Sequence, residues 1–126
     1  MVKTVVYSDK APEPIGPYSQ AIQAGGLLFV SGQIAIEKSS GNIITSDIEA
    51  ETAQVMVNLN EILKAAGLDF SNVVKTTIFL KDMNNFPKVN GVYGKSFQSV
   101  PPARETVEVS RLPKDVNVEI SCIAVM

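Results

Sequence analysis

Residues 46–81 read SDIEAETAQVMVNLNEILKAAGLDFSNVVKTTIFLK, and a change of hydrophobic period inside this stretch sets the fold class. Ile48, Val55, Met56, Leu59, Ile62, Leu63 and Ala66 recur at helical spacing, which predicts a helix over about 48–66 with one apolar stripe. Ser46 and Glu49 have the spacing of a capping box, and Gly67 stands where a left-handed residue closes a helix. The stripe reads as core rather than as a cofactor groove. From residue 73 the period falls to two. Val74, Thr76, Ile78 and Leu80 then share one side of a strand over 73–81, and Val73, Lys75, Thr77 and Phe79 share the other.

On the N-terminal side of this unit, residues 3–8 read as a short strand. Pro12, Pro14, Gly16 and Pro17 then enforce a non-helical loop, because proline fixes its own φ and restricts its predecessor. Residues 18–24 and 27–36 read as strands joined at Gly25-Gly26, and residues 39–42 form a second turn signal. On the C-terminal side a second helix is predicted over about 85–97. Pro87 lies in its first turn, and Phe86, Val89, Tyr93 and Phe97 form its buried side. Gly91 and Gly94 weaken this helix and suggest that another element packs close to it. Two strands follow Pro101-Pro102, over 104–110 and 116–125.

With no repeat, linker or low-complexity tract, the 126 residues are expected to form one domain, spanning 1–126. The element order predicts an α+β sandwich of one sheet and two helices. Two helices can cover only one face of that sheet. The other face carries Phe79, Ile123 and Val125 by alternation, so it is expected to be buried against further copies of the chain.

Composition removes several kinds of chemistry. The net charge is −2, with 45% hydrophobic and 19% charged residues, as in ordinary globular proteins. There is no histidine, which excludes Ser-His-Asp and Cys-His catalysis and His-ligated zinc. The single cysteine, Cys122, cannot form an intrachain disulfide or a thiolate metal site, and it reads as a small buried hydrophobe. No phosphate-cradling glycine motif occurs, and no apolar run is long enough to span a bilayer or serve as a signal peptide. Neither a metal nor an organic cofactor is implied. The expected location is the cytoplasm.

Only two arginines are present, Arg104 and Arg111. If Val107 and Val109 face the helices, Arg104, Thr106 and Glu108 fall on the opposite face. If Val116, Val118, Ile120 and Cys122 face the helices, Asn117, Glu119 and Ser121 also fall opposite. On that assignment Arg104 and Glu119 project from one side of the sheet, towards a neighbouring subunit. Two readings stay open: a structural ion pair across the strands, or a bidentate carboxylate anchor beside a water-activating carboxylate. Ser31 is either an ordinary strand residue or a binding hydroxyl. Tyr18 is either a cover over the core or a pocket wall. Asn90 is either a solvent-facing or packing amide or part of a site at the helix end.

Other segments are more specific in combination. Ile15-Gly16-Pro17-Tyr18-Ser19-Gln20-Ala21 and Val30-Ser31-Gly32-Gln33-Ile34 resemble the N-terminal signatures of the Rid/YjgF proteins. Ala65-Ala66-Gly67, Val73-Val74-Lys75-Thr76-Thr77-Ile78-Phe79, Asp82-Met83-Asn84 and Val89-Asn90 continue the resemblance. Pro102-Ala103-Arg104, Val107-Glu108-Val109, Leu112-Pro113-Lys114-Asp115 and Glu119-Ile120 complete it, in order and without large insertions. The resemblance implies a chorismate-mutase-like α+β fold of the bacillus type, assembled as a homotrimer with clefts between subunits. It also implies hydrolysis of 2-imino and 2-enamino acids, which escape from pyridoxal-phosphate enzymes, to 2-keto acids and ammonia. By position, Arg104 would grip the carboxylate and Glu119 would hold the attacking water. Tyr18, Ser31, Gly32, Asn90 and Thr106 would line the pocket, Gly32 and Thr106 chiefly through their backbone.

Two departures from the family pattern stand out. Glu105-Thr106 replaces the common Ser-Cys after the arginine, and Ser121 stands where many members carry a second glutamate. Two further classes compete: a non-catalytic metabolite sensor using the same cleft, and an RNA-binding translation inhibitor or endoribonuclease. The last is disfavoured by the slightly acidic balance and the absence of a basic run.

Overall fold

The structure is a computed structural model and describes residues 2–126. Its elements run β1 (Thr4–Val6), β2 (Ala21–Ala24), β3 (Leu27–Gln33), α1 (Ile48–Ala65), β4 (Val73–Leu80), α2 (Phe86–Tyr93), β5 (Ala103–Glu108) and β6 (Val118–Val125), with short 3-10 turns between some of them. The strands form one mixed sheet in the order β1-β2-β3-β6-β4-β5. Every neighbouring pair is antiparallel except β4 and β5, which are parallel and joined through α2.

Both helices lie on one face. Val55, Leu59, Ile62 and Leu63 of α1 and Val89 and Tyr93 of α2 pack in one cluster with Leu28, Val30, Ile78, Leu80, Ile120 and Cys122 of the sheet. The α+β layering and the element order are those predicted. On the open face, register pairs align Val5, Ile22, Phe29 and Ile123 in a row across four strands. Val5 and Phe29 there are exposed, as is Val125.

Local chemistry explains most element ends, with corrections. Asp47, not Ser46, caps α1: its carboxylate accepts the Ala50 amide at 2.7 Å, so the helix starts one residue later than a Ser46–Glu49 capping box requires. At the other end Gly67, at φ 76°, directs its N–H to the Lys64 carbonyl while Leu68 N–H reaches the Leu63 carbonyl, a Schellman closure. The hairpin at Gly25-Gly26 is where the sequence puts it. The second helix ends at Tyr93, and residues 94–96 tighten into a 3-10 turn. Nothing lies within 4 Å of a Cβ built at Gly91 or Gly94, so close packing does not account for these glycines among the described residues.

Three face assignments change, one of them that of Val116, which precedes β6 and packs with Phe79 on the open side rather than under the helices. A register shift between Val73 and Lys75 breaks the alternation of β4, burying Val73 and exposing Val74. More consequentially, β5 is turned over. Its residues pair as Thr76 with Arg104, Ile78 with Thr106 and Leu80 with Glu108, and the three β4 residues face the helices. Arg104, Thr106 and Glu108 therefore lie on the helix side. Val107 pairs with Phe79 on the open side, where Val109 also packs, in a second cluster with Ile34, Leu112 and Val116. Both faces near β5 are apolar, so alternation separated the two residue sets without deciding which one faces inward.

Candidate functional site

Glu119 is the second residue of β6, and its register partner Phe79 is on the open face, so the carboxylate projects away from the helices. Strand β3 departs from regular pairing between Val30 and Gln33, and Gly32 lies within that irregularity, directly beneath Glu119. A Cβ at Gly32 would come within 2.6 Å of Glu119 Oε2. Only a glycine leaves the carboxylate room to lie down on the strand.

Around this pair, Pro12, Ile15, Tyr18 and Pro113 close a narrow cleft with a cavity volume of about 50 Å³. That is room for one or two waters and not for a metabolite. Its walls are largely apolar, and burial alone pushes the Glu119 carboxyl above the ordinary glutamate range. No hydrogen bond holds Glu119 among the described residues, so its oxygens are available for a water or a ligand.

The loop before β2 builds one wall of this cleft. Gln20 is buried and acts as its staple: its Oε1 accepts the Ser8 amide at 2.7 Å, and its Nε2 donates to the Ser8 and Pro12 carbonyls. Tyr18 lies in this loop rather than in a strand, and its hydroxyl accepts the Ile15 amide at 3.3 Å. Ser31 donates its hydroxyl to the Ser19 carbonyl at 2.6 Å, which ties β3 to the same loop. Its proton is thus committed to the scaffold, next to the cleft that Gly32 lines.

Arg104 belongs to a separate groove on the helix side, lined with Asn90, Tyr93, Phe97, Pro101 and Pro102 and about 460 Å³ in volume. Its Nη1 donates to Asn90 Oδ1 at 2.8 Å. Its guanidinium carbon stands 5.3 Å from the centroid of the Phe86 ring and 5.1 Å from that of Tyr93. Thr106 follows on the same face, and its hydroxyl is buried without a hydrogen-bond partner among the described residues. Glu105 points the other way, into a 3.1 Å ion pair with Lys75 and a 3.0 Å hydrogen bond from Thr77. Its charge is kept off the arginine.

The sequence-derived residues therefore divide into two groups. Tyr18, Ser31, Gly32 and Glu119 gather on the open side, and Asn90, Arg104 and Thr106 on the helix side near the β5 edge. Arg104 and Glu119 leave opposite faces of the sheet, which corrects the expectation that they share one. It also removes the cross-strand ion pair between them. Phe86 and Tyr93 were read as core and not as neighbours of Arg104; the signal available was their spacing with Asn90 at i, i+4 and i+7, which puts all three on one stripe. Cys122 is buried, and burial pushes its thiol up to about 12, so it is inert at neutral pH. Among the described residues no three His, Cys, Asp or Glu side chains converge as metal ligands would, and no helix is long and apolar enough to cross a membrane.

The same architecture recurs among known proteins. A family model described as Endoribonuclease L-PSP matches residues 8–126. The chain belongs to this family, that of the YjgF/Rid proteins, as its sequence signatures suggested. It is 53% identical over 123 residues to a RutC family protein of Pyrococcus horikoshii, covering 98% of each chain. It is 47% identical over 125 residues to the 2-iminobutanoate/2-iminopropanoate deaminase of Mus musculus, covering 99% of this chain and 93% of the mouse protein. The crystal structure of E. coli TdcF with bound serine superposes with a TM-score of 0.93 at 38% identity, over 98% of each chain.

Proposed function

We propose that this protein hydrolyses reactive 2-imino and 2-enamino acids, such as those released by pyridoxal-phosphate enzymes, to 2-keto acids and ammonia. The observation that carries the proposal is the complementarity of two incomplete half-sites. One holds an unpaired, half-buried carboxylate with room for water, and the other an arginine whose guanidinium has no carboxylate partner among the described residues. The mouse relative's name and the serine bound to TdcF support a small amino-acid-derived substrate.

Because Arg104 and Glu119 leave opposite faces of one sheet, they act on one substrate only when two copies of the chain contribute. The exposed apolar row through Phe29 supports such an assembly. A homotrimer, with the open faces inward and three clefts between subunits, satisfies both requirements. Arg104 grips the substrate carboxylate as a rigid fork. Glu119 of the adjoining copy accepts a proton from water as its oxygen bonds to the imine carbon. The same carboxyl returns the proton to nitrogen and then takes the proton of the new hydroxyl as C=O forms, the C–N bond breaks and ammonia leaves the 2-keto acid. Tyr18, Ser31, Gly32, Asn90 and Thr106 line the space between. A protonated imine is already electrophilic, so the task is one of positioning and proton transfer, and the proposal requires no cofactor.

The test couples the purified protein to an imine-generating amino-acid dehydratase and follows 2-keto-acid formation. Acceleration over spontaneous hydrolysis, lost in Arg104→Ala and Glu119→Gln, is the expected result. No acceleration for any of several amino acids overturns the proposal; saturable binding of 2-keto acids without turnover assigns the cleft to a sensor instead.

A further inference from the structure

Arg111 is clasped by Asp115, with Nε to Oδ1 at 2.7 Å. Arg104 has no such partner among the described residues, yet its position is constrained by three side chains of α2. Phe86 and Tyr93 lie seven positions apart on α2, a separation of about 10 Å along the axis. The guanidinium carbon nonetheless lies over both rings, 5.3 Å from the Phe86 centroid and 5.1 Å from that of Tyr93. Asn90, on the same stripe, takes Nη1 at 2.8 Å from within the slot.

The slot itself is anchored. The Tyr93 hydroxyl is 2.7 Å from Thr76 Oγ1, a buried contact. Thr76 is the register partner of Arg104 in the parallel β4–β5 pair, so the tyrosine is tethered beside the arginine's own backbone. The ring of Phe97 packs against Tyr93 with centroids 4.8 Å apart, and that of Phe70 meets Phe97 edge-on at 5.4 Å. This aromatic packing restrains the Tyr93 ring.

We propose that Phe86 and Tyr93 are positioning residues that bracket the Arg104 guanidinium and restrict its ligand to a planar carboxylate approaching in the guanidinium plane. The inference deepens the proposed function and rests on Arg104 as the carboxylate anchor. The two rings crowd the guanidinium, Asn90 occupies one Nη1 donor, and the guanidinium N–H groups all lie in its plane. The remaining donors face a ligand only edge-on, which suits the two coplanar oxygens of a carboxylate. A phosphonate holds a third oxygen out of that plane and meets a ring. Holding the guanidinium in advance also spares the ligand the cost of ordering a long side chain.

The experiment measures calorimetric dissociation constants for pyruvate, its neutral methyl ester and acetylphosphonate. It compares the wild-type protein with Phe86→Leu, Tyr93→Leu, Tyr93→Phe and Arg104→Ala, with Tm recorded for each. The two leucine variants are expected to weaken pyruvate about tenfold and to narrow the preference for pyruvate over acetylphosphonate, leaving the ester within twofold. Tyr93→Phe keeps the ring and should stay within about threefold of wild type for pyruvate. Should Tyr93→Leu fail to fold, Phe86→Leu at the start of α2 carries the same comparison. Unchanged pyruvate affinity and selectivity in the leucine variants, with loss in Arg104→Ala, overturns the bracket and leaves the anchor standing. Unchanged pyruvate binding in Arg104→Ala overturns the anchor and the bracket together.

Discussion

The Glu119 side chain lies over Gly32 so closely that a Cβ at residue 32 would meet its Oε2 at 2.6 Å, its carboxyl carbon at 2.8 Å and its Cγ at 3.0 Å. Gly32 is not held in the left-handed region, so alanine is permitted there by the backbone and opposed only by this side chain. Gly32→Ala is therefore expected to fold with a Tm within a few degrees of wild type while rotating the carboxylate off the strand. Turnover should fall by about one to two orders of magnitude, towards that of Glu119→Gln, because a displacement of about 1 Å at a reacting group costs on that order. Steady-state kinetics beside a melting curve separates the two effects; a large Tm loss with turnover preserved in the folded fraction contradicts the geometry.

The direction of the Glu119 shift gives a pH signature. Burial favours the neutral carboxyl, so the folded chain retains this proton at pH values where the unfolded chain has released it. The stabilisation it brings is complete below the ordinary glutamate pKa of about 4.3 and is lost as pH rises through the elevated folded value. Activity runs the other way, because a base must be ionised. The acidic limb of kcat/KM is expected above the usual glutamate range. Glu119→Gln should lose activity and abolish the corresponding fall of stability with pH, as read by urea unfolding across pH 4–8.

The helices, the hairpin and the succession of elements along the chain were legible because each rests on one local cause: helical spacing in α1, glycines at the turns, proline in the first turn of α2. The site was legible only in part. Arg104, Glu119, Tyr18 and Gly32 were named, but the face of β5 was not recoverable from alternation. Val107 and Val109 are apolar like the helix-facing residues, yet they serve the open side, while Arg104 and Glu108 find polar or aromatic uses near α2. Glu108, for example, accepts the Met83 amide at 2.8 Å and caps the turn that leads into that helix. Such uses are made by tertiary contacts and leave no periodic trace.

Glu51 illustrates a buried charge in a structural role. It sits on α1, fully buried, and its carboxylate accepts the Asn117 amide at 2.7 Å, Asn117 Nδ2 at 2.8 Å and the Val118 amide at 3.3 Å. These donors lie at the entry to β6, one residue before Glu119. Glu51→Ala strands two backbone N–H groups and an amide, at about 1–3 kcal/mol for each buried donor left unpaired. A loss of about 3 kcal/mol in chemical denaturation is expected. Glu51→Gln, which keeps one acceptor oxygen, should lose less. Equal stability in all three proteins contradicts the clasp.

Thr106 offers the opposite case. Its hydroxyl is buried and unpaired among the described residues, a condition that costs about 1–3 kcal/mol unless a partner arrives. Thr106→Val preserves the shape and removes the polar atom, so the unliganded protein should melt at the same temperature or a few degrees higher. If a bound 2-keto acid supplies the missing partner, the same variant should bind it about tenfold more weakly. Thermal shifts with and without ligand read both outcomes, and a destabilised variant would indicate that the hydroxyl is already satisfied.

Phe29 connects assembly to chemistry. It is exposed at the centre of the row formed with Val5, Ile22 and Ile123, and its register partners lie on both neighbouring strands, so a charge there faces apolar surface on either side. In an isolated chain, Phe29→Asp leaves the helix-side core untouched and should preserve the circular dichroism spectrum. In an assembly that buries the open face, it puts an unpaired carboxylate into an apolar interface, a cost of several kcal/mol per copy. With the proposed trimer, sedimentation should therefore change from trimer to monomer. Turnover should disappear with that assembly, because Glu119 and Arg104 on one chain leave opposite faces of their own sheet. A monomeric Phe29→Asp protein with full activity would place the whole reaction within one chain and refute the shared cleft.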